Sequence, residues 1–332
     1  MNLEKLRTWN NSKAGILARL MFSLVILAIL FWKVDFSGVV SAFMHISLVL
    51  FSIAFAIHLL VRLIQSYQIA FGLAAMKIYI GIIKLLKITF ISDFYSLSLP
   101  GRGVTGSAIL WLGISYSKGS ALKVGTLLLY VRLMGVIVLL GLGFSGIMMD
   151  RAYAFDVFTI SFTTLFALAI ATFVLVLSPR YVHYIKYAVL LLLKPFSNES
   201  WFYRNSRKVY HAIKELGNLP WHTVVLIMLF SLCIHISGSF TFYLLARALD
   251  IDISFASMVW IRSFLILISI APITIADLGV REVTLLVILD KYGISGESAL
   301  SLSFAIFMVM ILEALIGWGV EKWGMVKKPK VS

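Results

Sequence analysis

The chain has 332 residues, of which 61% are hydrophobic and only 13% charged, and a formal charge of +14; its mean hydropathy is +0.99. A soluble domain carries about 25% charged residues, so this composition excludes the soluble globular class. Lys and Arg lie mainly in short segments beside apolar runs, a topology signal of membrane proteins and unlike the basic stripe of a nucleic-acid binder.

A membrane span needs about 20 mostly apolar residues. The first candidate, Ile16–Trp32, follows Lys5, Arg7 and Lys13 as a signal-peptide core would, but it is long and lacks a small-x-small cleavage site. It reads as a retained span. Further spans are expected at Ile46–Ile64, Leu122–Met148, Phe155–Leu177, Val224–Leu245, Phe255–Ile270 and Ala299–Val320. Two apolar segments are compromised. Ile78–Leu99 is interrupted by Lys84, Lys87 and Asp93 and runs into Pro100, and Ile273–Leu289 is short and carries Asp277, Arg281 and Glu282.

Basic residues set orientation. The N-terminus, the long polar segment Arg180–Pro220 and the tail with Lys322, Lys327, Lys328 and Lys330 are all expected on the cytoplasmic side. Residues 78–118 must then enter and leave from that side as a re-entrant hairpin, and residues 255–289 from the other. Gly113-Ile114-Ser115 recurs as Gly293-Ile294-Ser295, each after a proline (Pro100, Pro272) and a Gly-Val pair (Gly103-Val104, Gly279-Val280). Interrupted segments at corresponding places in two halves point to an inverted repeat with its site near the bilayer midplane. The expected fold is therefore all-α: a single polytopic transmembrane domain with about seven or eight spans and two re-entrant hairpins. Its repeats lie near residues 46–178 and 222–323, joined by a cytoplasmic linker near 180–220.

Gly101-Arg102-Gly103-Val104-Thr105-Gly106 fits the G-x-G-x-x-G dinucleotide pattern, but no Asp or Glu stands between Thr105 and Met149 to hold a ribose. The pattern is a decoy. Its glycines instead suit a tight turn at a helix start, where exposed amides receive an anion such as a lipid phosphate and Arg102 adds charge. No metalloprotease, nucleophile-elbow or zinc spacing occurs, Cys233 is the sole cysteine, and Asp250 with Asp252 makes a weak metal pair. No cofactor is expected.

Charge inside a span costs roughly 2.5–3.5 kcal/mol per residue on insertion scales, so such residues are functional or internally paired. Arg132, Arg262 and Glu313 lie deep in spans, whereas Arg19 and Arg62 fall near expected span ends and should snorkel. His58 and His235 read as structural. Arg281 and Glu282, adjacent on a helix, should not face each other. Asp277 and Arg281, at i and i+4, should share a helix face, leaving Glu282 or Glu313 to neutralise Arg132 or Arg262.

Pro272 followed by Asp277-Leu278-Gly279-Val280-Arg281-Glu282 resembles the signature of the lysylphosphatidylglycerol synthetase transmembrane-region family, also called the flippase-like domain family. Pro100-Gly101-Arg102-Gly103, Gly113-Ile114-Ser115 and Arg132 resemble its first block. Asp277 departs from a common family glycine, and Ser107 from an acidic residue. The resemblance implies an inner-membrane protein that translocates or handles an anionic lipid or lipid-linked head group, with membrane lipid as partner. Arg102, Gly103, Arg132, Asp277, Gly279, Arg281, Glu282 and Glu313 are the expected binding residues. Arg102, Arg132 and Arg281 would engage the head group while Glu282 and Glu313 balance charge or relay protons. The alternatives are an accessory subunit that assists a separate membrane enzyme, and an integral glycosyl- or acyltransferase using Asp93. No lysyl transfer is expected, since the soluble aminoacyl-transferase domain of full-length synthetases has no counterpart in these residues.

Overall fold

The computed structural model describes residue 41 and residues 43–98, 102–118, 121–150, 157–177, 219–269 and 277–323. The expected first span, Pro100, Pro272, most of the linker and the basic tail lie outside them. Among the described residues every regular element is helical. They run α1 (Leu48–Ala75), α2 (Ile82–Ser98), α3 (Arg102–Lys118), α4 (Ala121–Met148), α5 (Val157–Leu177), α6 (Trp221–Ala248), α7 (Phe255–Ser269), α8 (Val280–Asp290) and α9 (Gly296–Lys322). Helices satisfy their own backbone groups, the requirement for any segment that crosses hydrocarbon.

α1, α4, α6 and α9 have 27 or 28 residues each and are long and apolar enough to cross a membrane. At 1.5 Å per residue each is about 40 Å long, beyond the roughly 30 Å hydrocarbon core. Large apolar side chains away from the cavity, such as Val157, Ile160 and Leu168, are exposed. In water that surface would drive association; in a bilayer it meets lipid. The chain is an all-helical, polytopic membrane protein.

The helices follow the expected segments closely, with one consequential difference. The second span does not end at Ile64 but continues as α1 to Ala75. The polar run that lowers hydropathy there is turned inward: Ser66 and Gln68 are buried, and Gln68 Nε2 donates to Ser231 Oγ on α6 at 2.7 Å and to the Ile227 carbonyl at 2.9 Å. Arg62 thus sits at mid-helix, not at a snorkelling end.

α1 packs along α6, α2 along both α3 and α9, and α7 along α4. Side-chain hydrogen bonds between helices hold such bundles where lipid offers no hydrophobic drive. At one end, Asp150 after α4 accepts from Trp260 Nε1 of α7 at 2.7 Å and from the Tyr292 hydroxyl after α8. The α2–α9 contact is so close that a Cβ on Gly317 would stand 2.1 Å from the Phe90 carbonyl oxygen. Backbone cannot retreat there as a flexible side chain can. Gly317→Ala should therefore cost about 1–3 kcal/mol, the range for overpacking, read as a lower thermal midpoint of the protein in detergent; an unchanged midpoint would contradict this contact.

Candidate functional site

α1 to α4 and α6 to α9 all contribute to the lining of a cavity of about 690 Å³. Its lining includes Arg62, Arg132, Arg262 and Arg281, two aspartates (Asp93, Asp277) and two histidines (His58, His235). Four arginines at membrane depth are a large electrostatic cost unless each is matched. The structure matches them unequally.

Arg62 is held most firmly. Its Nε and Nη2 donate to the two oxygens of Glu313 on α9, the latter at 3.1 Å. Asp93 Oδ2 on α2 lies 3.3 Å from the same Nε. His58, one turn before Arg62 on α1, places Nε2 2.9 Å from Glu313 Oε2. An ionised carboxylate only accepts, so His58 Nε2 carries the hydrogen. Glu313 is almost completely buried, with a side-chain exposure of 3%. The expectations that Arg62 snorkels and that Glu313 serves Arg132 or Arg262 are corrected here, while His58 has the partner that a structural histidine needs. With α1 running on past Arg62, one face of the helix carries both His58 and Arg62 toward α9.

Arg281 and Glu282 form a second pair, Nη2 to Oε1 at 2.6 Å, contrary to the expectation that adjacent residues cannot meet. The i, i+1 rule describes helix interiors. These residues occupy the first turn of α8, where side chains curl back over the exposed helix end. Glu282 Oε2 accepts from the Gly279 amide at 2.6 Å, and Ser303 Oγ on α9 bridges, donating to Glu282 Oε1 and accepting from Arg281 Nε, each at 2.6 Å. Glu282 so caps α8 and neutralises Arg281 at once.

Asp277 precedes α8 and is not on its helical face; its contribution to Arg281 is a backbone carbonyl that accepts from the Arg281 amide at 3.1 Å. Asp277 has φ 61°, in the left-handed region, and Gly279 has φ 89°. That explains the departure from the resemblance at this position: glycine adopts such φ most readily, and Asp is among the few other residues that tolerate it.

Arg132 lines the cavity and Nη1 donates to Ser107 Oγ on α3 at 2.8 Å. Arg102 and Gly103 open α3, and their side-chain surroundings lie outside what the structure describes.

Arg262 on α7 is different in kind. Its Nη1 reaches His235 of α6, 3.4 Å from Nδ1 and 3.3 Å from the carbonyl oxygen, and its Cζ lies 5.7 Å from the Phe242 ring centroid. Among the described residues no carboxylate pairs with it. The guanidinium lies flat in a slot made by Gly238, where an added Cβ would stand 2.3 Å from Nη2. The sequence flagged Arg262 as an intramembrane charge without placing it in the site. His58 and Arg62, spaced i, i+4 on one predicted helix, were a legible signal; Gly238 offered none.

A buried pair that loses one partner leaves a lone charge and costs about 3–5 kcal/mol, whereas replacing both is milder. Glu313→Gln and Arg62→Gln should each lower the thermal midpoint in detergent strongly. The double substitution should be less damaging than the sum; strict additivity would show that the two do not interact.

No curated protein and no solved structure matches this chain. A family model described as Lysylphosphatidylglycerol synthase TM region does match, over residues 16–317, a range that takes in both charged hairpins and the helices around the cavity. The chain belongs to the Lysylphosphatidylglycerol synthase TM region family, membrane proteins of lipid-related function.

Proposed function

We propose that the protein binds the head group of an anionic lipid in the central cavity and carries it across the bilayer. The observation that carries this reading is Arg262: a guanidinium at membrane depth, fixed by His235 and the Gly238 slot, facing a cavity and without a carboxylate among the described residues. A phosphate would supply the missing charge and suits the planar fork of an arginine. Arg132 on α4 lines the same cavity and is the second head-group ligand in this reading. Arg62 and Arg281 are already matched by Glu313 and Glu282.

The arrangement of helices supports movement across the membrane. α1 to α4 have 28, 17, 17 and 28 residues, and α6 to α9 have 28, 15, 11 and 27. Their contacts cross over, α1 on α6, α2 on α9 and α7 on α4. These lengths and contacts support a reading as two inverted repeats, with α2–α3 and α7–α8 as the re-entrant hairpins, rocking about a midplane site. In this reading the protein lies in the inner membrane with both termini cytoplasmic.

The test is a head-group accessibility assay with fluorescent phosphatidylglycerol in proteoliposomes. The protein should accelerate flipping over protein-free vesicles. Arg262→Gln should slow it about tenfold or more, the loss of one charge-assisted contact worth about 1.4 kcal/mol. Correctly folded protein that leaves the flip rate at the background value would sink transport and favour an accessory subunit.

A further inference from the structure

The cavity contains a second group that the head-group reading does not use. His58 has one nitrogen committed, Nε2 to Glu313 at 2.9 Å. Among the described residues its other nitrogen, Nδ1, has no hydrogen-bond partner, and the ring lines the cavity. With Nε2 carrying its hydrogen, Nδ1 keeps a lone pair that can take a proton. Imidazole is the one side chain whose ordinary titration falls between pH 5 and 8.

The charges around it explain what a proton there would do. From its own helix His58 faces Arg62; Glu313 faces it from α9 and Asp93 from α2. Arg132 from α4, His235 from α6, Arg262 from α7, Asp277 ahead of α8 and Arg281 in its first turn are the other charged or titratable groups of the cavity wall. Arg62, Glu313 and Asp93 together hold one positive and two negative charges. One proton on His58 brings that cluster to neutrality. Opposing it is Arg262, whose unmatched positive charge repels an imidazolium. An anion on Arg262 removes that repulsion.

We propose that His58 is a proton site coupled to the head-group site: an anionic head group arriving at Arg262 draws one proton from water onto His58 Nδ1, and the two leave together. This rests on the head-group reading of Arg262. Coupling between the sites is reciprocal, so protonation also strengthens head-group binding. The loaded cavity is then one charge closer to neutral than either event alone would leave it. That lowers the cost of carrying the load past hydrocarbon, and it gives a proton gradient a means to drive transport.

The test uses the full chain in detergent, with dihexanoyl phosphatidylglycerol as the probe. Calorimetry in two buffers of different ionisation enthalpy counts protons taken up per probe bound. The wild type should take up close to one proton and bind roughly fivefold tighter at pH 6 than at pH 8, the low end of typical coupling. His58→Gln retains a donor toward Glu313 but has no titrating nitrogen; it should bind the probe with no uptake and no such pH dependence. His222→Gln, exposed and away from the cavity, should keep both binding and uptake. Nitrogen NMR of histidine-labelled wild type reads the event without substitution: one of the six histidines should become cationic when probe is added near pH 7. Probe binding without proton uptake, or uptake that survives His58→Gln, would overturn the coupling and leave the head-group site standing. No probe binding by folded wild type would overturn both.

Discussion

An arginine in hydrocarbon is costly unless something matches it, and much of the bundle is arranged around the carboxylates that match Arg62. Arg62 sits at the middle of α1, and its two carboxylates come from elsewhere in the chain, Glu313 from α9 and Asp93 from α2. Three helices are thereby fixed to one another by charge, and α9 can approach α2 closely only because Gly317 presents no side chain to the Phe90 carbonyl. The ion cluster and the glycine contact support each other. Without the close approach, α9 could not deliver Glu313 to Arg62. Without the pair, the approach would bury a lone charge on each side.

Much of this was legible in the sequence. Apolar windows located the described spans to within a few residues at most ends, because in a bilayer the cost of polar surface is paid residue by residue. The exception is instructive. Gln65, Ser66 and Gln68 ended the apolar window of the second span, yet Ser66 and Gln68 are buried against other helices. Hydropathy registers polarity but not which side of the helix carries it, so α1 was read short and Arg62 was put at its end. The pairing of Arg281 with Glu282 was missed for another reason: a rule for regular helix was applied to a helix's first turn. Gly238 could not have been found at all, since its role depends on which side chain α7 brings against α6.

At the start of α8 the helix end is closed from within: Glu282 accepts the Gly279 amide, Arg281 is matched, and Ser303 ties both to α9. The residues that first look like a ligand site, because they are charged and intramembrane, are the ones most fully satisfied by the protein. Asp277 belongs to the same economy. Its left-handed backbone turns the chain into α8 and offers a carbonyl to Arg281, a structural reason for a polar residue at this depth.

What is left over after such matching marks the site better than charge alone. A paired arginine has no strong reason to bind an incoming anion, since the anion would have to displace a carboxylate already desolvated beside it. Arg262 has no carboxylate to displace among the described residues, and it is held in place by contacts with backbone, imidazole and ring that leave its charge intact. In the head-group reading, a guanidinium with no carboxylate among the described residues carries an electrostatic cost that an anion relieves, which favours binding without any large rearrangement of the paired residues. The matched arginines fix the helices, and in the same reading Arg262 sets the ligand's charge. The same four-arginine cavity can thus be rigid in its walls and selective in its centre.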